Sequence, residues 1–381
     1  MFKLNVKLAI DLGNSETRII VCFTDLQGQE RKILSIIPCQ YSDLTYKWET
    51  FEKMNELVKY TWDTSWVYEQ SKKVVAGGLI ADSMYSHDIQ MPQPQRKKYK
   101  QKTTEWAFPI IYFRALNILS EVLEQPIEDL NVEWEVKVFL PAQDYIKGTE
   151  PITELITKID NIHFVRPNLT KQIVVKDIEV LCEGFTAFTL CEDKNGLSLV
   201  IDLGSGTTDI CLATNGYLNY NSLATINVAS NNIAKRLKVL VENDYGIHAL
   251  PAQRYKDIAL TGIYTMANGK TYDFTKQLNE AIAEVSGRIV ERLEDYLDQM
   301  NVSIDDIERV VFVGGGSIIT KNEFSLPMAI REDLIDLFDN ENIFSKLPKV
   351  QCEVYTPDHK FYTIDEVNPR LMNIIGAVKE D

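Results

Sequence analysis

Val6, Leu8 and Ile10 recur at every second position before the turn Asp11-Leu12-Gly13, and Arg18-Ile19-Ile20-Val21-Cys22-Phe23 then resumes in β-prone apolar residues. Period two on both sides of a glycine turn predicts a strand hairpin over residues 6–23. Residues 198–213 repeat the design: Leu199-Val200-Ile201 enters Asp202-Leu203-Gly204, and Asp209-Ile210-Cys211-Leu212-Ala213 leaves it. Half a chain separates the copies, far more than the roughly 20–50 residues of a solenoid repeat, so the duplication predicts two similar lobes facing each other.

Other patterns fill in these lobes. Val136 to Leu140 reads as a strand ended by Pro141, and Trp106 to Leu123 carries apolar residues at helical spacing. Leu278, Ile282, Val285, Ile289, Leu293 and Leu297 form one apolar stripe of a long helix, with Glu280, Glu284, Arg288, Glu291 and Arg292 on its other faces. A β-run, Val310 to Val313, leads into Gly314-Gly315-Gly316-Ser317. Asn368-Pro369 before Arg370 to Ala377 predicts a proline-initiated helix, packed closely through small residues.

Residues 35–104 differ in texture, with Trp48, Trp62, Trp66, Gly77-Gly78, Pro92, Pro94 and weak periodicity. They read as a peripheral subdomain inserted into lobe I, whose core comprises residues 1–34, 105–189 and 349–381. Lobe II takes residues 190–348, with a peripheral part at about 231–274. The basic run Arg96 to Lys102 suits either a solvated loop or a contact with an acidic surface on another copy.

A chain of 381 residues exceeds what one core comfortably serves, which agrees with two lobes. The 45% hydrophobic and 25% charged residues are those of a soluble folded protein. No signal peptide and no uninterrupted run of about 18 apolar residues is evident, so a cytoplasmic protein without a membrane contact is expected. The six cysteines and four histidines are scattered, which favours buried reduced thiols over disulfides or zinc. A net charge of −15 repels polyanions, so any contact with DNA should go through a partner rather than directly.

Glycine turns let successive backbone N–H groups converge on an anion, and phosphate is the natural guest. Either turn alone could be an ordinary hairpin; the pair points to a nucleotide. Asp11 and Asp202 would repel phosphates unless a cation intervened, which implies Mg²⁺, met mostly through its water shell. Ser15, Thr207 and Thr208 can donate hydroxyl hydrogens to phosphate oxygens. The Gly314-Gly315-Gly316 loop suits the approach of a purine and ribose, or is simply a strand-to-helix turn. A Walker loop is absent, and no Rossmann helix pattern follows Asp202.

Asp11 to Arg18, Asp202 to Asp209, Val310 to Ser317 and Asn368 to Ala377 together resemble the phosphate 1, phosphate 2, adenosine and second connecting motifs of the actin, sugar kinase and DnaK-type superfamily. Phe139 to Tyr145, Asp177 to Ala187 and Asn279-Glu280-Ala281 are similar to stretches of the ParM-type plasmid-segregating bacterial actins. The resemblance implies an α/β actin-like (ribonuclease H-like) fold with a nucleotide cleft between duplicated lobes. It implies ATP, or alternatively GTP, held with Mg²⁺ by Gly13, Asn14, Ser15, Arg18, Gly204, Ser205, Gly206, Thr207, Thr208, Glu284, Arg288, Gly314, Gly315, Gly316 and Ser317. Asp11 and Asp202 would face the metal through water, and Glu183 would position the attacking water. Glu183 also fits a plain role as a dipole partner at a helix start. Near Asn227-Val228-Ala229-Ser230 the sequence departs from its relatives, and contacts there do not carry over.

The expected activity is an ATPase whose hydrolysis is coupled to self-association into filaments that move plasmid or similar DNA through a DNA-binding adaptor. A membrane-associated cell-shape or division actin, a small-molecule kinase and a DnaK-type ATPase are the alternatives.

Overall fold

The computed structural model describes residues 3–13, 16–43, 65–68, 73–77, 89–90, 97–164, 169–246, 250, 252–266, 268–318, 328–333, 347–356 and 360–379. Contacts divide the chain into two compact units, one of Met1–Cys182, Val350–Glu366 and Ala377–Asp381, the other of Glu183–Lys349 and Val367–Gly376.

In the first unit, β1 (Lys3–Leu12) and β2 (Glu16–Thr24) form the hairpin that the period-two pattern predicts. Leu4, Val6 and Leu8 are buried while Lys3, Asn5 and Lys7 face solvent, so one face of β1 builds the core. β3 (Glu30–Pro38) runs antiparallel to β2. On the other edge of β1 lie β4 (Asn131–Leu140) and then β5 (Val174–Cys182), both parallel. Parallel neighbours need crossovers, and helices supply them: α1 (Lys102–Leu123) precedes β4, and α2 (Ala142–Thr157) joins β4 to β5. The order β5-β4-β1-β2-β3 is extended past β3 by the hairpin Val350–Tyr355 and Phe361–Glu366.

Helix α1 is long and apolar enough, by length and composition, to cross a membrane, although no unbroken apolar run suggested it. Most of it is buried in the core of this unit, where Tyr112 meets Trp134 edge-on at 5.4 Å. Arg114, midway along α1, is also buried. Its Nε donates to Ser35 Oγ at 2.9 Å and its Nη2 to the Thr356 carbonyl at 2.8 Å, with the guanidinium over the Tyr355 ring. That one side chain ties α1, β3 and the C-terminal hairpin together.

A second, six-stranded sheet holds Tyr41–Asp43, Ser65–Tyr68, Lys73–Gly77 and Ile89–Gln90 with Asn161–Phe164 and Leu169–Gln172. Trp48, Trp62, Gly78, Pro92, Pro94 and Arg96, which marked this region's texture, lie outside the described residues. In the rest of the basic run, Lys98 is held by its backbone N–H to Asp144 Oδ2 at 2.9 Å.

The second unit repeats the plan of the first. β6 (Leu197–Leu203) and β7 (Thr208–Thr214) form a hairpin, and Ala224–Ile226 pairs antiparallel with the far edge of β7. Helices α3 (Ser230–Tyr245) and α4 (Thr275–Met300) pack here, and β8 (Ile307–Val313) runs parallel to the free edge of β6. An antiparallel strand, a hairpin and a parallel strand thus recur in the same order as β3-β2-β1-β4. The stripe Leu278, Ile282, Val285, Ile289, Leu293 and Leu297 is buried throughout, as its spacing requires.

The last helix, α5 (Met372–Ala377), differs from the proline-initiated helix that the sequence suggests. Pro369 precedes it in a turn, its carbonyl accepting from the Gly314 N–H at 3.0 Å, and the Leu371 carbonyl accepts from the Ile375 N–H at 3.0 Å as the helix begins. Close packing through Gly376 does occur: a Cβ there would lie 2.3 Å from the Thr186 carbonyl oxygen.

Candidate functional site

The two Asp-led turns are alike in local geometry, although Gly204 N–H also donates to the Thr207 carbonyl at 3.0 Å. Gly13 N–H donates to the Asp11 carbonyl at 3.1 Å, and Gly204 N–H to the Asp202 carbonyl at 3.1 Å. A Cβ on Gly13 would meet the Glu16 carbonyl oxygen at 2.3 Å, and one on Gly204 the Thr207 carbonyl oxygen at 2.6 Å. Glycine is therefore demanded by how tightly each turn doubles back. Asn14 and Ser15 lie outside the described residues.

The carboxylates at the strand ends are both buried, with different companions. Asp11 Oδ2 accepts from Arg18 Nη1 at 2.8 Å, and the two residues are register partners across β1 and β2. Asp202 has Asp209 as its register partner across β6 and β7, so a second acid stands where the first unit has an arginine. Thr225 Oγ1 donates to Asp209. Asp202 Oδ2 accepts from Asn373 Nδ2 at 2.6 Å, and the side-chain oxygen of Asn373 accepts from Gly184 N–H at 2.9 Å. Burial, with Asp202 and Asp209 nearby, pushes the Cys211 thiol up.

Gly184 stands at the start of the short helix Phe185–Phe188 with φ at 81°, and Glu183 is the turn residue before it. A Cβ on Gly184 would lie 3.4 Å from Asp202 Cβ, so the Glu183-Gly184 turn sits against the second aspartate. Gly314, at φ 88°, presses on the same residue, since a Cβ there would come within 2.1 Å of Asp202 Oδ1. Gly316 abuts the Leu203 carbonyl, and Gly315 is exposed beside Arg370. Ser317 belongs to the 3₁₀ turn Gly315–Ile318. The second unit thereby gathers Glu183, Asp202, Gly204, Gly314 and Gly316 around one strand end.

Ser205, Gly206 and Thr207 form the half-buried bend of the second turn, and Thr207 Oγ1 is 3.5 Å from Asp209 Oδ2. Thr208 is buried, and its hydroxyl donates to the Val228 carbonyl at 2.8 Å, which commits that hydrogen within the fold. Glu284 and Arg288 lie one turn apart on the exposed face of α4, where Glu284 pairs with Arg236 Nε at 2.5 Å. The segment where the sequence departs from its relatives proves to hold the turn directly. Ser230, by N–H and hydroxyl, donates to the Gly204 carbonyl at 3.3 and 3.0 Å, and Asn231 N–H to the Ser205 carbonyl at 2.9 Å.

Residues 200–325 match the family model described as archaeal actin homologue MreB-like, C-terminal. Three proteins of known structure are similar over nearly the whole chain. Ta0583, an archaeal actin homologue, is 15% identical with a TM-score of 0.64 and 97% of both chains covered. Another of its structures is a complex with ADP, at 14% identity and a TM-score of 0.60. The actin-like protein Alp7A is 16% identical with a TM-score of 0.64, covering 99% of this chain and 95% of its own. A ParM in a 15-stranded filament from Clostridium botulinum is 17% identical with a TM-score of 0.58, covering 98% and 97%. The chain has an actin-like fold. No curated protein matches it.

In this actin-like chain, sequence reasoning missed four residues at the second turn: Asn373, Asp209, Ser230 and Asn231. Asp209 ends the turn motif and Asn373 lies in the C-terminal segment, so both were inside recognised patterns without a role. Ser230 stood out only as part of a departing segment and Asn231 not at all, because they act through the start of a helix that returns to the turn from 26 residues away.

Proposed function

We propose that this chain is an ATPase, with GTP as the alternative nucleotide, that assembles into filaments and moves plasmid or similar DNA through a DNA-bound adaptor in the cytoplasm. The observation that carries the nucleotide part is the pair of Asp-led turns with matching geometry, one in each unit. The ADP complex of Ta0583 and the filament of the Clostridium botulinum ParM support nucleotide binding and self-association respectively. The DNA role rests on the sequence resemblance to plasmid-segregating actins.

The residues fit a hydrated cation better than a chelated one. Among the described residues no cluster of three or more His, Cys, Asp or Glu could ligate a metal directly. Asp11 and Asp202 each have one carboxylate oxygen engaged by a protein donor, Arg18 or Asn373. They would meet the water shell of Mg²⁺, as its reluctance to dehydrate favours. Such a cation would supply charge neutralisation at the phosphates. The protein's own part is positioning: each turn offers backbone N–H groups to phosphate oxygens, and Glu183 orients the water that attacks in line.

Incubating the purified chain with Mg-ATP and no acceptor tests this reading. Phosphate release, with filaments in light scattering and electron microscopy at micromolar protein, is expected. Absence of phosphate release, or of filaments with ATP or a slowly hydrolysed analogue, refutes it. Filaments that sediment with bare DNA would refute the adaptor, because a net charge of −15 opposes direct binding.

A further inference from the structure

The duplicated turns differ in what holds them from behind. In the second unit the Gly204 carbonyl accepts from two donors of Ser230, at the start of α3. In the first unit the corresponding Gly13 carbonyl accepts from the thiol of Cys39, with Sγ 3.2 Å from the oxygen. Cys39 follows β3, which ends at Pro38, and precedes the strand Tyr41–Asp43. It therefore stands where the chain leaves the seven-stranded sheet for the six-stranded one.

The thiol is not isolated. Thr17 Oγ1 lies 3.1 Å from Cys39 Sγ, and the Tyr41 side chain, two residues on, is close enough to both that its proton feels them. All three side chains are buried, at 1%, 1% and 2% exposure, so water cannot replace any of these bonds. Thr17 is also the register partner of Leu12, which makes it the closing residue of the turn itself. Tyr41 pairs with Gly77 and Gln90 in the six-stranded sheet. Burial pushes the Cys39 thiol up to about 11, so it keeps the proton it donates at neutral pH.

We propose that Thr17, Cys39 and Tyr41 form a positioning node that sets the Gly13 carbonyl and ties the first phosphate turn to the strand Tyr41–Asp43. A thiol is a weak donor beside the paired donors of Ser230, so the first turn is the adjustable one of the two. Displacement of the six-stranded sheet shifts Tyr41 and Cys39, and with them the backbone that grips phosphate. Nucleotide occupancy reports back along the same bonds. This inference rests on the nucleotide reading above.

The test measures Mg-ATP affinity by calorimetry, steady-state phosphate release, and amide hydrogen exchange across residues 41–43, for wild type, Cys39→Ala, Cys39→Ser and Tyr41→Phe. Cys39→Ala should raise the Kd and KM for ATP about fivefold with kcat within about twofold, the pattern of lost uniform binding. Cys39→Ser, which restores a donor, should return both to within about twofold of wild type, a rescue that a merely structural role would not require. In wild type, ATP should slow exchange at Tyr41–Asp43, and this protection should be lost in Cys39→Ala. Unchanged affinity in folded Cys39→Ala and Tyr41→Phe overturns the node. Should those variants not fold, absence of ATP-dependent protection in wild type overturns it equally. Wild-type protein that binds no adenine nucleotide overturns the function reading, and the node's role with it.

Discussion

Asn373 donates its side-chain amide to the Asp202 carboxylate at 2.6 Å while accepting from Gly184 N–H through its side-chain oxygen. A single neutral side chain thereby fixes both the second aspartate and the turn that presents Glu183. Asn373→Ala removes a buried donor and acceptor together, which should cost about 1–3 kcal/mol of stability. It should also lower kcat/KM, because Asp202 and Glu183 lose their common support. Asn373→Asp should be worse, since it sets one carboxylate against another. Urea denaturation and steady-state phosphate release check both; wild-type values for Asn373→Ala would remove it from the site.

Glu183 precedes the positive-φ Gly184, on which a Cβ would lie against Asp202, and the proposed function gives its carboxylate the attacking water. Glu183→Ala should reduce turnover on the order of 100-fold while leaving the nucleotide Kd within about threefold. Filaments of the variant should persist longer with ATP. Wild-type turnover in a single-turnover assay would exclude Glu183 from the chemistry.

Both hairpins were legible because their signals are local: period-two apolar residues flank a glycine turn, and each pairs with its own neighbour. The stripe on α4 was legible for the same reason. Asn373 acts on a residue 171 positions away, and Arg114 on a carbonyl 242 positions away, distances over which a sequence pattern has no register. The helix α5 starts later than the proline suggests, and Pro369 instead meets Gly314, a contact that exists only once β8 and the C-terminal segment meet. The burial of Thr208 also follows from strand pairing, which turns its side chain away from the bend and toward Val228.

Gly314 and Gly287 test whether the glycines are needed for space or merely present. At Gly314 a methyl group would collide with Asp202 and Leu203, and φ is already +88°. Gly314→Ala should therefore destabilise the protein by more than about 1 kcal/mol and weaken nucleotide binding. Gly287 lies inside α4, and among the described residues no atom beyond its chain neighbours and the helix's own nearby backbone comes within 4 Å of the place a methyl group would take there. Gly287→Ala should stabilise by about 0.5–1 kcal/mol, the helix-interior value, with binding unchanged. Equal effects in urea denaturation would contradict the geometry.

Glu133, buried on β4, is clamped by Lys176 of β5 and Lys3 of β1, and Lys176 also donates to Asn5 Oδ1 at 3.1 Å. Hydrogen bonds from Lys176 and then Lys3 hold its carboxyl below the ordinary 4.5, against the opposing effect of burial. A carboxyl whose value is depressed on folding stabilises the protein above its unfolded value and loses that contribution as pH falls through the folded one. Glu133→Gln should thus melt below wild type near neutral pH, with the gap closing as the pH drops below 4.5. Because both lysines are substantially exposed, the gap should also narrow in high salt. Circular-dichroism melts across this range decide the matter: a gap that stays constant or widens in acid would show that the three side chains are neighbours without being an electrostatic clamp.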